Sequence, residues 1–192
     1  MKPFKQGDCD GLCSVYSVLN AVQWLVPQAR DVEWATKVFA GLVKEGIVSM
    51  DNFLNGGEEP EVAKVLSYVG RMIQYDFGHR GIGLASEVKS SSPSPADFLE
   101  SYLSIKNRVV IFGFEGFDSH WTVATSVDKD KKPTGRREDG FLLPSVWLYD
   151  SWQYNCFDKR DFVWAKDVPD KEKSDKIVVD EKDINGVYLI GM

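Results

Sequence analysis

The stretch Lys5-Gln6-Gly7-Asp8-Cys9-Asp10-Gly11-Leu12-Cys13-Ser14-Val15-Tyr16-Ser17-Val18-Leu19-Asn20-Ala21 decides how the rest of the chain is read. Its first half is polar and glycine-bearing, as a loop is. Its second half places Val15, Val18, Leu19, Ala21, Val22 and Leu25 at helical spacing, and Pro27 stops the pattern. A cysteine therefore stands where loop becomes helix. A thiol attacks carbonyls as the thiolate, which a helix N-terminus and a neighbouring imidazolium both favour. The N–H groups at such a terminus can also hold the oxyanion that the attack creates.

Working outward, Asp31 to Lys44 repeats the helical period, with Asp31 as N-cap and Gly46 as stop. Asn55-Gly56-Gly57 reads as a loop. Glu58 to Val69 reads as a third helix with Pro60 in its first turn. Arg71 to Phe77 reads as a short strand and Gly78 to Gly83 as a loop. Ser94 and Pro95 open a helix over 96–105. From there β-branched and aromatic residues dominate. Val109 to Phe114, His120 to Val127, Val146 to Ser151, Lys176 to Val179 and Gly186 to Ile190 are the expected strands, and the charged inserts Asp128 to Gly140 and Lys166 to Lys176 the expected solvated loops. The expected class is α+β, with N-terminal helices (about 1–106) packed on a C-terminal antiparallel sheet (about 107–192) in one domain.

Composition narrows the function. The chain has 192 residues, 43% of them hydrophobic, which suits one domain with a sizeable core. Its 23 basic and 29 acidic residues leave a net charge of -6, which argues against a nucleic-acid partner. No run approaches the ~18 apolar residues of a membrane span. The first residues lack the apolar core of a secretory signal. A cytoplasmic protein is expected, or one exported without a cleaved signal. Cys9, Cys13 and Cys156 are too few for a disulfide framework, and no second pair of soft ligands completes a zinc site, so neither metal nor cofactor is expected.

The chemistry-bearing residues are few. His120 lies on an apolar strand with Trp121, Val123 and Ala124, a rigid mount for a base. Asp150 follows Val146, Trp147, Leu148 and Tyr149, where an unpaired carboxylate would be costly. It is the natural orienter of the imidazole. Alternatives remain beside each. Cys9 competes with Cys13, although Gly11 disfavours a helix beginning there. His79 competes with His120, although its glycine-rich neighbours suggest a surface loop. Asp118 competes with Asp150.

Gln6 with Cys13 to Ala21, then Ser119-His120-Trp121, then Asp150-Ser151-Trp152, resemble the papain-like cysteine peptidase superfamily. The resemblance implies that Cys13 is the nucleophile, His120 the base and Asp150 its orienter. Gln6 would help form the oxyanion hole, though it lies seven residues before the cysteine rather than slightly fewer. Asp150-Ser151-Trp152 is the aspartate version of an Asn-Ser-Trp motif, in which the tryptophan shields the histidine's hydrogen bond. Trp152 and Trp121 are then the substrate-side residues. The stretch from Cys9 to Ser14 departs from the Cys-Gly-Ser-Cys-Trp spelling. The compact size is closer to bacteriocin-processing or effector peptidases than to lysosomal ones. The implied activity is cleavage of a peptide or isopeptide bond in a protein or peptide substrate. The same triad also serves transglutaminases, deamidases and acyltransferases, and the fold can persist as a non-catalytic binding or immunity-type module.

Overall fold

A computed structural model describes residues 2–5, 12–54, 61–84, 92–116, 119–128, 145–152, 154 and 156–190. Helices and a largely antiparallel sheet alternate along it. The helices are α1 (Cys13–Leu25), α2 (Val32–Lys44), α3 (Met50–Leu54), α4 (Val62–Phe77) and α5 (Pro95–Leu103). The strands are β1 (Gly81–Leu84), β2 (Arg108–Gly116), β3 (His120–Asp128), β4 (Ser145–Leu148), β5 (Cys156–Asp158), β6 (Phe162–Trp164), β7 (Ile177–Val179) and β8 (Ile184–Ile190). The protein is thus α+β. No described helix is long and apolar enough to cross a membrane.

The sheet runs β1-β8-β2-β3-β4-β5, with every pair antiparallel. A short β6–β7 pair, which is parallel, joins it where Glu115 and Gly116 of β2 meet Val178 and Ile177. Strand β2 is the centre of the molecule, and its alternation explains why. Val109 and Ile111 face a core built with Val15, Val18, Leu19 and Val22 of α1. Val110, Phe112 and Phe114 face the other way, into a core with Leu99 of α5, Phe162, Trp164 and Ile177. A strand buried on both faces reads as an unbroken apolar run, and Val109 to Phe114 is one.

Local signals account for several helix ends. Asp31 caps α2 by accepting from the Glu33 N–H at 3.0 Å. Ser94 caps α5 through the Asp97 N–H at 3.2 Å, with Pro95 in the first turn. Gly46, beyond α2, takes a φ of 68°.

The expected strand over Arg71 to Phe77 is instead the second half of α4. The buried positions Val62, Val65, Leu66, Val69 and Ile73 continue one helical stripe through Gly70, and the helix ends only at Gly78, whose φ is 70°. Its expected start at Glu58 to Pro60 lies outside the described residues, as do Asn55 to Gly57. The expected loop over Gly78 to Gly83 contains β1, an edge strand drawn from the helical half. Its glycines hid it. A Cβ on Gly83 would lie 2.1 Å from the Tyr188 ring, so glycine lets that ring cross the strand. The strands β5 and β6 and helix α3 were not foreseen. Most of the insert over Asp128 to Gly140 lies outside the described residues, whereas Lys166 to Lys176 forms 3-10 turns rather than a plain loop.

Candidate active site

Cys13 is the first residue of α1 and is buried among Leu12, Val15 and Ser14 in the chain around it. The residue before it, Leu12, offers no side-chain cap, and no acid stands in the first turn. The positive end of the helix is therefore left uncompensated by its own side chains. Cys13 and Cys156 are both thiols.

Phe4, in the described residues 2–5, is held to α1 by a reciprocal pair. Asn20 accepts from the Phe4 N–H at 2.7 Å and donates to the Phe4 carbonyl at 3.2 Å. Asn20 lies seven residues after Cys13, two helical turns on, hence on the same face. Phe4 thus lies against the cysteine-bearing face of α1. Gln6 itself, with Cys9 and Asp118, lies outside the described residues.

His120 opens β3, opposite Phe114 of β2. Asp150 is not on a strand as expected. It stands in a turn two residues past β4, yet its place follows from the sheet. The β3–β4 register pairs Ala124 with Leu148, and the Tyr149 N–H donates to the Val123 carbonyl at 2.8 Å. Carrying that register onward sets Asp150 level with Thr122, a diagonal neighbour of His120 on the same face.

The two side chains meet. His120 Nε2 stands 2.8 Å from Asp150 Oδ1, and neither side chain has any exposed surface. Asp150 Oδ2 accepts from the backbone N–H groups of Trp152, at 2.7 Å, and Tyr154, at 3.2 Å. Both oxygens are thus acceptors, which places the ring proton on Nε2. Nδ1 keeps its lone pair. It is buried and has no hydrogen-bond partner among the described residues, the Cys13 thiol included. Orphaned buried nitrogens are rare and call for an explanation.

Aromatic rings enclose the imidazole. Trp152 stacks on it with ring centroids 4.3 Å apart and planes 19° from parallel, while Phe114 and Tyr154 present edges. Trp152 is itself 41% exposed, so it separates His120 and Asp150 from solvent.

Cys13, His120 and Trp121 line one cavity of about 400 Å³, together with the ends of β2 and β7. Gly113 lies under Trp121, with 3.1 Å between a built Cβ and the indole, so the ring sits flat on the strand. His79 does not line this cavity. Contrary to the expected surface loop, it is buried at the α4–β1 junction.

Tyr149, whose role the sequence did not reveal, ties the Asp150 turn to α1. Its hydroxyl stands 2.6 Å from the Gln23 side chain and 2.6 Å from the Lys2 carbonyl. One O–H supplies one proton, so the Gln23 amide presents its NH₂ to Tyr149 while the hydroxyl donates to Lys2. Burial pushes the Tyr149 phenol up to about 12, against a smaller pull from Arg30. The one signal for these contacts is that Asn20 and Gln23 are large polar residues among the buried positions of α1.

Among the described residues no group of three His, Cys, Asp or Glu is placed to hold a metal ion. No family model and no curated protein matches the chain.

Proposed function

We propose that the protein is a thiol-dependent hydrolase of papain-like fold that cleaves a peptide or isopeptide bond. One observation carries the reading. A buried imidazole bonded to a carboxylate through Nε2 has a vacant Nδ1, and it borders the same cavity as a thiol at a helix start. A base needs a lone pair, a fixed tautomer and access to the proton it takes.

In the reaction, Nδ1 accepts the Cys13 thiol proton. The sulfur attacks the scissile carbonyl carbon, and the oxyanion is held by the N–H groups that open α1, with Gln6 as a further donor. As the C–N bond breaks, the Nδ1 proton passes to the departing amine. Water then attacks the thioester, giving its proton to Nδ1. The C–S bond breaks and the thiol is restored. Asp150 orients the ring throughout, and Trp152 keeps water from their hydrogen bond.

The test is alkylation of the intact protein by iodoacetamide at neutral pH, with the site read by mass spectrometry. Cys13 is expected to react fastest, and Cys13→Ala to retain the circular-dichroism spectrum while losing both that labelling and peptide cleavage. Preferential labelling of Cys9 or Cys156 would overturn the assignment.

A further inference from the structure

The cavity beside Cys13 and His120 continues toward the ends of β2 and β7, where its charged lining is Glu115, Asp180 and Asp183 with Lys173 and Lys182. These charges are unevenly matched. Lys182 Nζ lies 3.5 Å from Asp180 Oδ2, and Asp180 Oδ1 also accepts from the Lys182 backbone N–H at 3.1 Å. Glu115 and Asp183 form no ion pair or side-chain hydrogen bond among the described residues. Burial pushes the Asp183 carboxyl above its usual range. Lys182 opposes that rise, while Asp180 and Glu115 add to it. Lys182, the cation nearest in effect to Asp183, is itself engaged by Asp180, so the Asp183 carboxylate is left without an ion pair of its own among the described residues. The same cavity is lined by His120, whose buried Nδ1 has no hydrogen-bond partner among the described residues.

We propose that Asp183 and Glu115 are specificity-determining residues that receive the cationic side chain of a lysine or arginine in a peptide substrate bound at Cys13. This rests on the hydrolase reading. Phe114 and Val178 also line the cavity and suit the methylene stem, while the carboxylates take its charged head.

Two peptidyl acyloxymethyl ketones test it, identical except for lysine or norleucine, placed either next to the ketone or one residue further away. Norleucine keeps the stem and removes the charge. The expected result is labelling of Cys13 about tenfold faster by the lysine probe in at least one placement, the effect of one charged hydrogen bond. The ratio should shrink in molar salt and approach one in D183N/E115Q. The exposed Glu115 also permits E115Q alone, which should lower the ratio without disturbing the fold. Equal rates for both probes in both placements, with Cys13 labelled, would overturn this inference and leave the hydrolase reading intact. So would a preference that survives the double variant. If neither probe nor iodoacetamide labels Cys13, the hydrolase reading falls and this inference falls with it.

Discussion

Asp150 serves two masters, and that sets how it tolerates change. One oxygen accepts from His120, and the other accepts from two backbone N–H groups of its own turn. Asparagine has one acceptor oxygen and one donor nitrogen, so in Asp150→Asn either the turn N–H groups lose their acceptor, or the amide donates to Nε2 and moves the ring proton onto Nδ1, removing the lone pair. A buried donor left facing donors costs about 1–3 kcal/mol. Asp150→Asn is therefore expected to slow Cys13 alkylation in either arrangement, and to lower the unfolding free energy in urea by that amount where the turn loses its acceptor. An unchanged midpoint would show that the turn N–H groups do not depend on the carboxylate. The need for a partner was legible in the sequence, because an aspartate after an apolar strand must be paired. The turn N–H groups were not, since the chain's bend after β4 depends on where β3 ends its pairing.

At the scale of elements, the 149–152 turn is held by a tyrosine rather than by the strand expected there. Tyr149 connects β4 to α1 through Gln23 and to the N-terminal segment through Lys2. Tyr149→Phe keeps the ring against Trp24 but strands two polar groups. It should cost about 1–3 kcal/mol in chemical denaturation. The pH dependence gives a second signature. The folded phenol titrates near 12, above the ~10 of an unfolded tyrosine. Its stabilising effect is complete below pH ~10 and is lost as pH rises toward 12, because the folded state there binds the extra proton. Wild-type stability should fall across that window, and Tyr149→Phe should flatten the fall. Elements whose side chains carry the pattern, α1, α2, α5, β2 and β3, were legible from periodicity and caps. Strand β1 was not, because Gly81 and Gly83 carry no pattern and pair only once Tyr188 crosses them. The second half of α4 was misread because Gly70 interrupts a stripe that tertiary packing continues.

For the molecule as a whole, the candidate chemistry straddles two layers. Cys13 belongs to the helical layer and His120 with Asp150 to the sheet, and the apolar seam between α1 and β2–β3 sets their separation. Leu19 is fully buried in that seam. Leu19→Ala should cost about 2–5 kcal/mol of stability. It should also slow Cys13 alkylation even where the protein remains folded, since α1 can settle differently on the sheet. Alkylation as fast as in the wild type would show that the seam does not set the site. The order of helical and then strand-like segments made an α+β protein legible in the sequence. It could not show that β7 and the turns on either side of it would line the far side of the cavity, because a three-residue strand is stabilised only by its neighbours.

The central claim is that His120 takes the proton of Cys13, and the pH profile of Cys13 alkylation tests it most directly. An isolated thiol is half ionised near pH ~8.5. The account predicts that iodoacetamide labels Cys13 at an undiminished rate well below that pH. His120→Ala should move the profile back toward 8.5 and slow labelling at pH 6 by at least about tenfold. A wild-type profile centred near 8.5 and unmoved by His120→Ala would contradict it.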